Sequence, residues 1–195
     1  MAIKKKTASA KKNDAKNKYK KVTRKFLEDL ARSIYNPSTR KFLRLCNGTL
    51  QNGPDPTDED RPMHCGLGEL YFAMTGRQPR EDHASESRVV ELAFELSPLN
   101  GANEISKKKA IAAIDALEIR DYLKVDLIDL IENDFEDSDV EQDFRDAIDA
   151  IQVENDNVVR RINECGDEFC TYDDYRKRAM AVALQLREAA KLLPV

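Results

Sequence analysis

The chain has 195 residues, 41% hydrophobic and 35% charged, with seven glycines, seven prolines, four cysteines and a net charge of −4. This length suits one domain with a tail and buries roughly 70% of the unfolded surface, so a core forms without a disulfide or metal staple. The scarcity of glycine and proline disfavours a strand-and-turn fold, and four irregularly spaced cysteines exclude the dense framework of a small secreted protein.

The charge is divided along the chain. Residues 1–25 hold eleven lysines and arginines against Asp14, a net +10, which leaves −14 for the remainder. Through Lys20 the only large apolar residues are Met1, Ile3 and Tyr19, too few to offset the entropy of ordering the segment. Residues 1–20 therefore read as a disordered Lys-rich arm, and residues 21–195 as a single helical domain. The lysines Lys4, Lys5, Lys6, Lys11, Lys12, Lys16, Lys18, Lys20 and Lys21 are spaced irregularly. Such spacing suits non-specific phosphate contact rather than base reading; the plainer alternative is a solubilising tail.

From Lys21 onward, Val22, Phe26, Leu27, Leu30 and Ile34 recur at helical spacing. Asn36 and Pro37 end that run and suggest a second helix carrying Phe42, Leu43, Leu45 and Cys46 as far as Asn47-Gly48. "LQNGPDPTDEDRP" (50–62), with three prolines, reads as a loop. A third helix is expected over about Cys65–Thr75 with Gly76 as its stop, and a fourth over about Ser85–Leu96. A fifth is expected from about Ser106, and a sixth carries Tyr122, Leu123, Leu127, Ile128, Leu130 and Ile131. "SDVE" at 138–141 reads as a capping box opening a seventh helix, with a kink expected at "ENDN" (154–157). Thr171 with Asp174 opens the last. The expected fold is all-α, an irregular bundle of about eight helices with no strong strand pattern and no repeat.

"RPMHCGLGELYFAMTGRQPREDH" (61–83) contains both histidines, one cysteine and three glycines. At a helix N-terminus the Cys65 thiol pKa would fall, and the glycines of "GLG" would let backbone approach a ligand. His83 could then act as base, oriented by Asp82 or Glu69, as in cysteine-dependent hydrolases and transferases. The plainer alternative is a buried cysteine followed by turn glycines.

For a metal the available ligands are Cys46, His64, Cys65, His83, Cys165 and Cys170. Adjacent His64 and Cys65 tend to diverge, and no C-x₂-C pair accompanies them, so no metal is expected. The glycine pattern lacks a phosphate-cradling loop, and no cofactor is expected.

The segment 126–149 holds eleven acids against Arg145. Asp126, Asp129, Glu132, Asp134, Glu136, Asp137, Asp139 and Glu141 form a candidate acidic surface, either a solvated face or an imitation of nucleic-acid charge. The leading functional expectation is a non-enzymatic interaction protein with a protein partner and non-specific nucleic-acid attachment through the arm. The alternatives are a Cys65/His83 enzyme and an acidic nucleic-acid mimic. The longest apolar run, Ala179–Leu184, is far short of a membrane span, and with no apolar leader at the start a cytoplasmic location is expected.

Overall fold

The computed structural model describes residues 19–55, 58–117, 119–134, 139–162 and 171–195. The helices are α1 (Arg24–Ile34), α2 (Gly66–Thr75), α3 (Glu86–Glu95), α4 (Ala102–Asp115), α5 (Asp121–Asp134), α6 (Asp139–Ile162) and α7 (Tyr172–Lys191). Between α1 and α2 lie four short strands, β1 (Tyr35–Asn36), β2 (Lys41–Phe42), β3 (Gln51–Asp55) and β4 (Asp58–His64). β1 pairs with β2 and β3 with β4, each antiparallel. Among the described residues the fold is mostly helical, and no helix is long and apolar enough to cross a membrane.

Seven helices among the described residues, rather than eight, follow from one correction. The second expected helix does not form: the side-chain oxygen of Asn36 accepts the amides of Ser38 at 3.0 Å and Thr39 at 3.4 Å. That Asx turn reverses the chain, Arg40 takes a left-handed φ of 56°, and residues 41–42 pair back onto 35–36. The apolar residues read as a helical face instead lie on extended chain, with Leu45 and Cys46 buried.

A second correction concerns residues 50–62, where β3 and β4 replace the expected loop. Their register shifts between Gln51 and Pro54 and again between Pro54 and Asp55. A two-stranded ribbon leaves outer edges where proline needs no donor, so its prolines do not forbid pairing.

The remaining boundaries stand close to expectation. α2 ends at Gly76, whose φ of 70° suits a residue without a Cβ. Ser85 caps α3, its hydroxyl accepting from the Arg88 amide at 3.3 Å. α4 begins at Ala102, four residues before the expected start, behind Gly101 at φ 79°. α6 runs as one helix through 154–157; Ser138 of the expected capping box lies outside the described residues, directly before it. The box at Thr171 and Asp174 is present in both directions.

The core is built on α6 and α7, which pack along each other, with α1 against α7, and α3 and α2 against α6. Phe144, Ile148 and Ile151 of α6 meet Val182, Ala183 and Leu186 of α7, and Leu27, Ala31 and Ile34 of α1 complete the cluster. Burial of one such side chain contributes about 1.5–3 kcal/mol, so this apolar seam dominates the stability. α4 and α5 stand apart, because each packs chiefly against the other. Ile114 is buried between them but does not belong to the main cluster.

Candidate functional site

Cys65 occupies the N-cap of α2, where its sulfur accepts the Gly68 amide at 3.3 Å. The residue is 0% exposed. Burial pushes its thiol pKa well above the ordinary value, and the neighbouring Cys46 and Asp156 add to the rise against the lowering effect of the Gly68 amide. Desolvation thus outweighs the helix terminus, which is the opposite of an activated nucleophile.

The glycines of "GLG" have a packing role. A Cβ on Gly68 would overlap the backbone carbonyl of Leu50, and one on Gly66 would stand 2.6 Å from Ile151 Cγ2 and 3.0 Å from the Val182 methyls. They let the first turn of α2 press against β3's approach on one side and against α6 and α7 on the other. The backbone approached so closely is the protein's own.

The other members of the expected constellation separate in space. His83 is exposed, with a left-handed φ of 50°, and lines a shallow depression of about 280 Å³ together with Leu50, Gln51, Pro79, Arg80 and Ala84. Cys65 does not line it. Asp82 accepts the Tyr71 hydroxyl at 2.7 Å and stands 3.5 Å from Arg77 Nη1, so it anchors the turn after α2. Burial foremost, and then Asp82, raises the Tyr71 pKa. Glu69 faces His64 instead of His83, with its Oε1 3.2 Å from His64 Nδ1.

His64 is therefore the histidine that matters to the architecture. It is 2% exposed, and its Nε2 lies 2.6 Å from Gln78 Oε1. Together Glu69, His64 and Gln78 tie α2, β4 and the segment after α2 into one buried chain of polar contacts. With both ring nitrogens engaged and no opening to solvent, the imidazole acts as a clasp.

Two further polar residues were not singled out from the sequence. Arg178 is fully buried on the apolar side of α7, donates Nη1 to the Leu45 carbonyl and stacks over the Tyr175 ring at 5.8 Å. Asn155, fully buried on α6, donates to the Cys46 carbonyl at 2.9 Å and accepts the Gly66 amide at 3.3 Å. These two side chains satisfy the Leu45 and Cys46 carbonyls, at the point where the chain between β2 and β3 has no sheet partner on that side. The signal was legible in outline: Arg178 lies among Tyr175, Ala179 and Val182, and Asn155 continues the stripe Phe144, Ile148, Ile151.

Among the described residues no three His, Cys, Asp or Glu side chains gather as a metal site. Cys46 is buried and donates to the Thr49 carbonyl at 3.2 Å, while Cys165 and Cys170 lie outside the described residues.

The charged surfaces divide in the same way. Lys4, Lys5, Lys6, Lys11, Lys12, Lys16 and Lys18 lie outside the described residues; Lys20 and Lys21 are exposed. The last residues of the expected arm are tethered, the Lys20 amide donating to the Met74 carbonyl at 2.9 Å and that of Val22 to Leu96 at 3.0 Å. Asp126 and Asp129 are exposed on α5, and Glu141 is half-buried on α6. Glu132 and Asp134 belong to α5 and Asp139 opens α6, whereas Glu136 and Asp137 lie outside the described residues. Asp143, Asp146 and Asp149 form an additional exposed row on α6, opposite Phe144, Ile148 and Ile151.

Among the described residues, large apolar side chains also stand exposed. Leu117, Tyr122, Leu123, Val125 and Leu127 are between 40% and 57% exposed, all within eleven residues of the α4–α5 hairpin. Among the described residues, fold and surface define a mostly helical protein with a buried core and an apolar, acidic face on the hairpin. No family model, no curated protein and no solved structure gave a significant match to the chain.

Proposed function

We propose that this protein is a non-enzymatic helical interaction protein whose folded body binds another macromolecule and whose basic arm attaches it to polyanions. The observation that carries the reading is the concentration of large exposed apolar side chains on the α4–α5 hairpin. Soluble proteins seldom present contiguous apolar surface without a use for it, and interaction surfaces are the commonest use. The buried, proton-retaining Cys65 speaks against the cysteine-dependent alternative. The +10 of residues 1–25 supports electrostatic attachment, since phosphates are attracted there and repelled by the −14 remainder.

Two measurements test the reading. A photo-crosslinking residue placed at Val125 in producing cells is expected to give protein adducts, with none from the same residue at Leu184, an equally exposed position on α7. Random duplex DNA should bind the intact chain, with log K falling against log salt by a slope of about −4 if about five lysines engage, and deletion of residues 1–20 should remove most of that binding. No adduct at Val125, or equal DNA binding with and without the arm, would overturn the corresponding half of the proposal.

The acidic-mimic reading keeps a place because of the exposed row Asp143, Asp146 and Asp149. Regularly spaced carboxylates on a rigid helix present charge as a nucleic-acid backbone does. Competition by the arm-deleted chain for a DNA-binding protein's groove would favour it, and reversal of those three charges should abolish the competition.

A further inference from the structure

On α5, at 3.6 residues per turn, Lys124, whose Nζ donates to the Asp115 carbonyl of α4 at 2.9 Å, and Ile128 are the less exposed residues of 121–129. The opposite arc carries, in angular order, Val125, Asp129, Tyr122, Asp126, Leu123 and Leu127, all exposed. Tyr122, Asp126, Leu123 and Leu127 follow one another on one side of the helix, apolar groups beside a carboxylate, whereas Val125 lies about 160° around the axis from Leu127. From Asp121 to Asp134 the helix carries five acids against Lys124, a net −4.

Four occupants of this face can be compared. Residues 1–18 of the chain carry the right charge, but Met1 and Ile3 are their only large apolar residues, too few to cover the apolar side chains of this face. A second copy would bring its own acidic α5 against this one, and like charges brought together across a patch oppose association. Nucleic acids and anionic membranes are repelled by the same carboxylates. A segment that carries both a basic edge and an apolar stripe is complementary on both counts.

We infer that the outer face of α5 is a docking surface for a basic amphipathic helical segment of a partner protein, its apolar stripe seated on Leu123, Leu127 and Tyr122 and its lysines or arginines paired with Asp126 and Asp129. This rests on the interaction-protein reading and names the chemistry of the partner. The segment lies along α5 as an amphipathic helix lies in a groove, read through anchors at i, i+3, i+4 and i+7. Its basic side chains speed encounter and set orientation, while the apolar contacts supply most of the affinity.

The probe is a fluorescein-labelled 18-residue peptide of leucine and lysine with its leucines at helical spacing. Controls are a peptide of equal composition with the stripe scrambled and one with every lysine changed to glutamate. Each is titrated into the full chain by fluorescence anisotropy. The striped basic peptide is expected to bind at least tenfold more tightly than either control. Leu123→Ser with Leu127→Ser, and separately Asp126→Lys with Asp129→Lys, should each weaken it at least tenfold; Leu184→Ser should change it less than twofold.

Equal binding of the scrambled peptide would reduce the surface to bulk charge and overturn the inference. So would undiminished binding by both double variants. Sedimentation showing a dimer that Leu123→Ser with Leu127→Ser dissociates would make a second copy the occupant instead. Failure here together with Val125 adducts in cells would reject the basic partner while leaving the interaction-protein reading intact; absence of both would reject the reading itself.

Discussion

The α6–α7 seam and the α4–α5 hairpin are built from similar residues with opposite fates. In the seam, Phe144, Ile148, Ile151, Val182 and Leu186 are wholly buried; in the hairpin, Leu123, Val125 and Leu127 stand at 40–56% exposure. Both regions are helical and both mix apolar with charged side chains. The seam differs in having apolar faces on each side that are long enough to close on each other, with α1, α2 and α3 covering their edges. Among the described residues the two helices of the hairpin pack chiefly against each other, and one helix can shield one side of its neighbour. Amphipathic pattern makes a helix, but burial requires a second complementary surface.

The comparison can be broken at its tightest point first. Gly68→Ala would drive a Cβ into the Leu50 carbonyl, a backbone group that cannot rotate aside. We expect a loss of more than about 4 kcal/mol, or no soluble folded protein, measured by urea denaturation. A variant of near wild-type stability would mean that α2 can shift away from Leu50 and that the seam is not rigid there.

Matched leucine deletions sharpen the contrast directly. Leu186→Ala should cost about 2–5 kcal/mol through lost transfer energy and the cavity left behind. Leu127→Ala should stay within about 0.5 kcal/mol, as for other exposed sites. Hydrogen exchange should follow the same order, with hairpin amides exchanging ahead of those in α6 and α7. Comparable losses from the two leucines would show that the hairpin face is covered in the free protein.

Smaller effects come from charge at helix starts. The amide and hydroxyl of Thr171 donate to Asp174 at 2.8 and 2.7 Å and hold its carboxyl below the usual range, the hydroxyl contributing most. A depressed carboxyl stabilises the fold above its unfolded value of about 3.9 and loses that contribution as pH falls through its lower folded value. Thr171→Ala should therefore cost about 0.5–2 kcal/mol at pH 7, with the difference from wild type shrinking on acidification below about pH 4. A difference independent of pH would assign the loss to packing.

The smallest effect is expected at the first turn of α3. Burial, with Asp156 and Asp149 nearby, raises the Glu86 carboxyl, so its charged form weakens the fold as pH rises above the ordinary glutamate value of about 4.3. Glu86→Gln should gain a few tenths of a kcal/mol at pH 7, the size of an exposed charge effect, and nothing at pH 4. A loss at pH 7 would show that the helix terminus outweighs the two aspartates.

The sequence by itself determined most of the helices, because their signals are local. The stripe Val22, Leu27, Leu30, Ile34, the Ser85 cap, the Gly76 stop and the Thr171–Asp174 box all act within one or two turns, so reading along the chain suffices to find them. It also exposed the division between a basic start and an acidic remainder. Tertiary structure alone decided the fate of the extended and turn segments. Asn36 could cap a helix or close an Asx turn, and the choice fell to residues far away, since the Leu45 carbonyl is held by Arg178, 133 positions on, and that of Cys46 by Asn155, 109 positions on. Distance in sequence likewise hid the pairing of Glu69 with His64 instead of His83, and the sealing of Cys65. A thiol at a helix start reads as reactive until the side chains that exclude water from it are in place, and those come from long-range packing that no local pattern encodes.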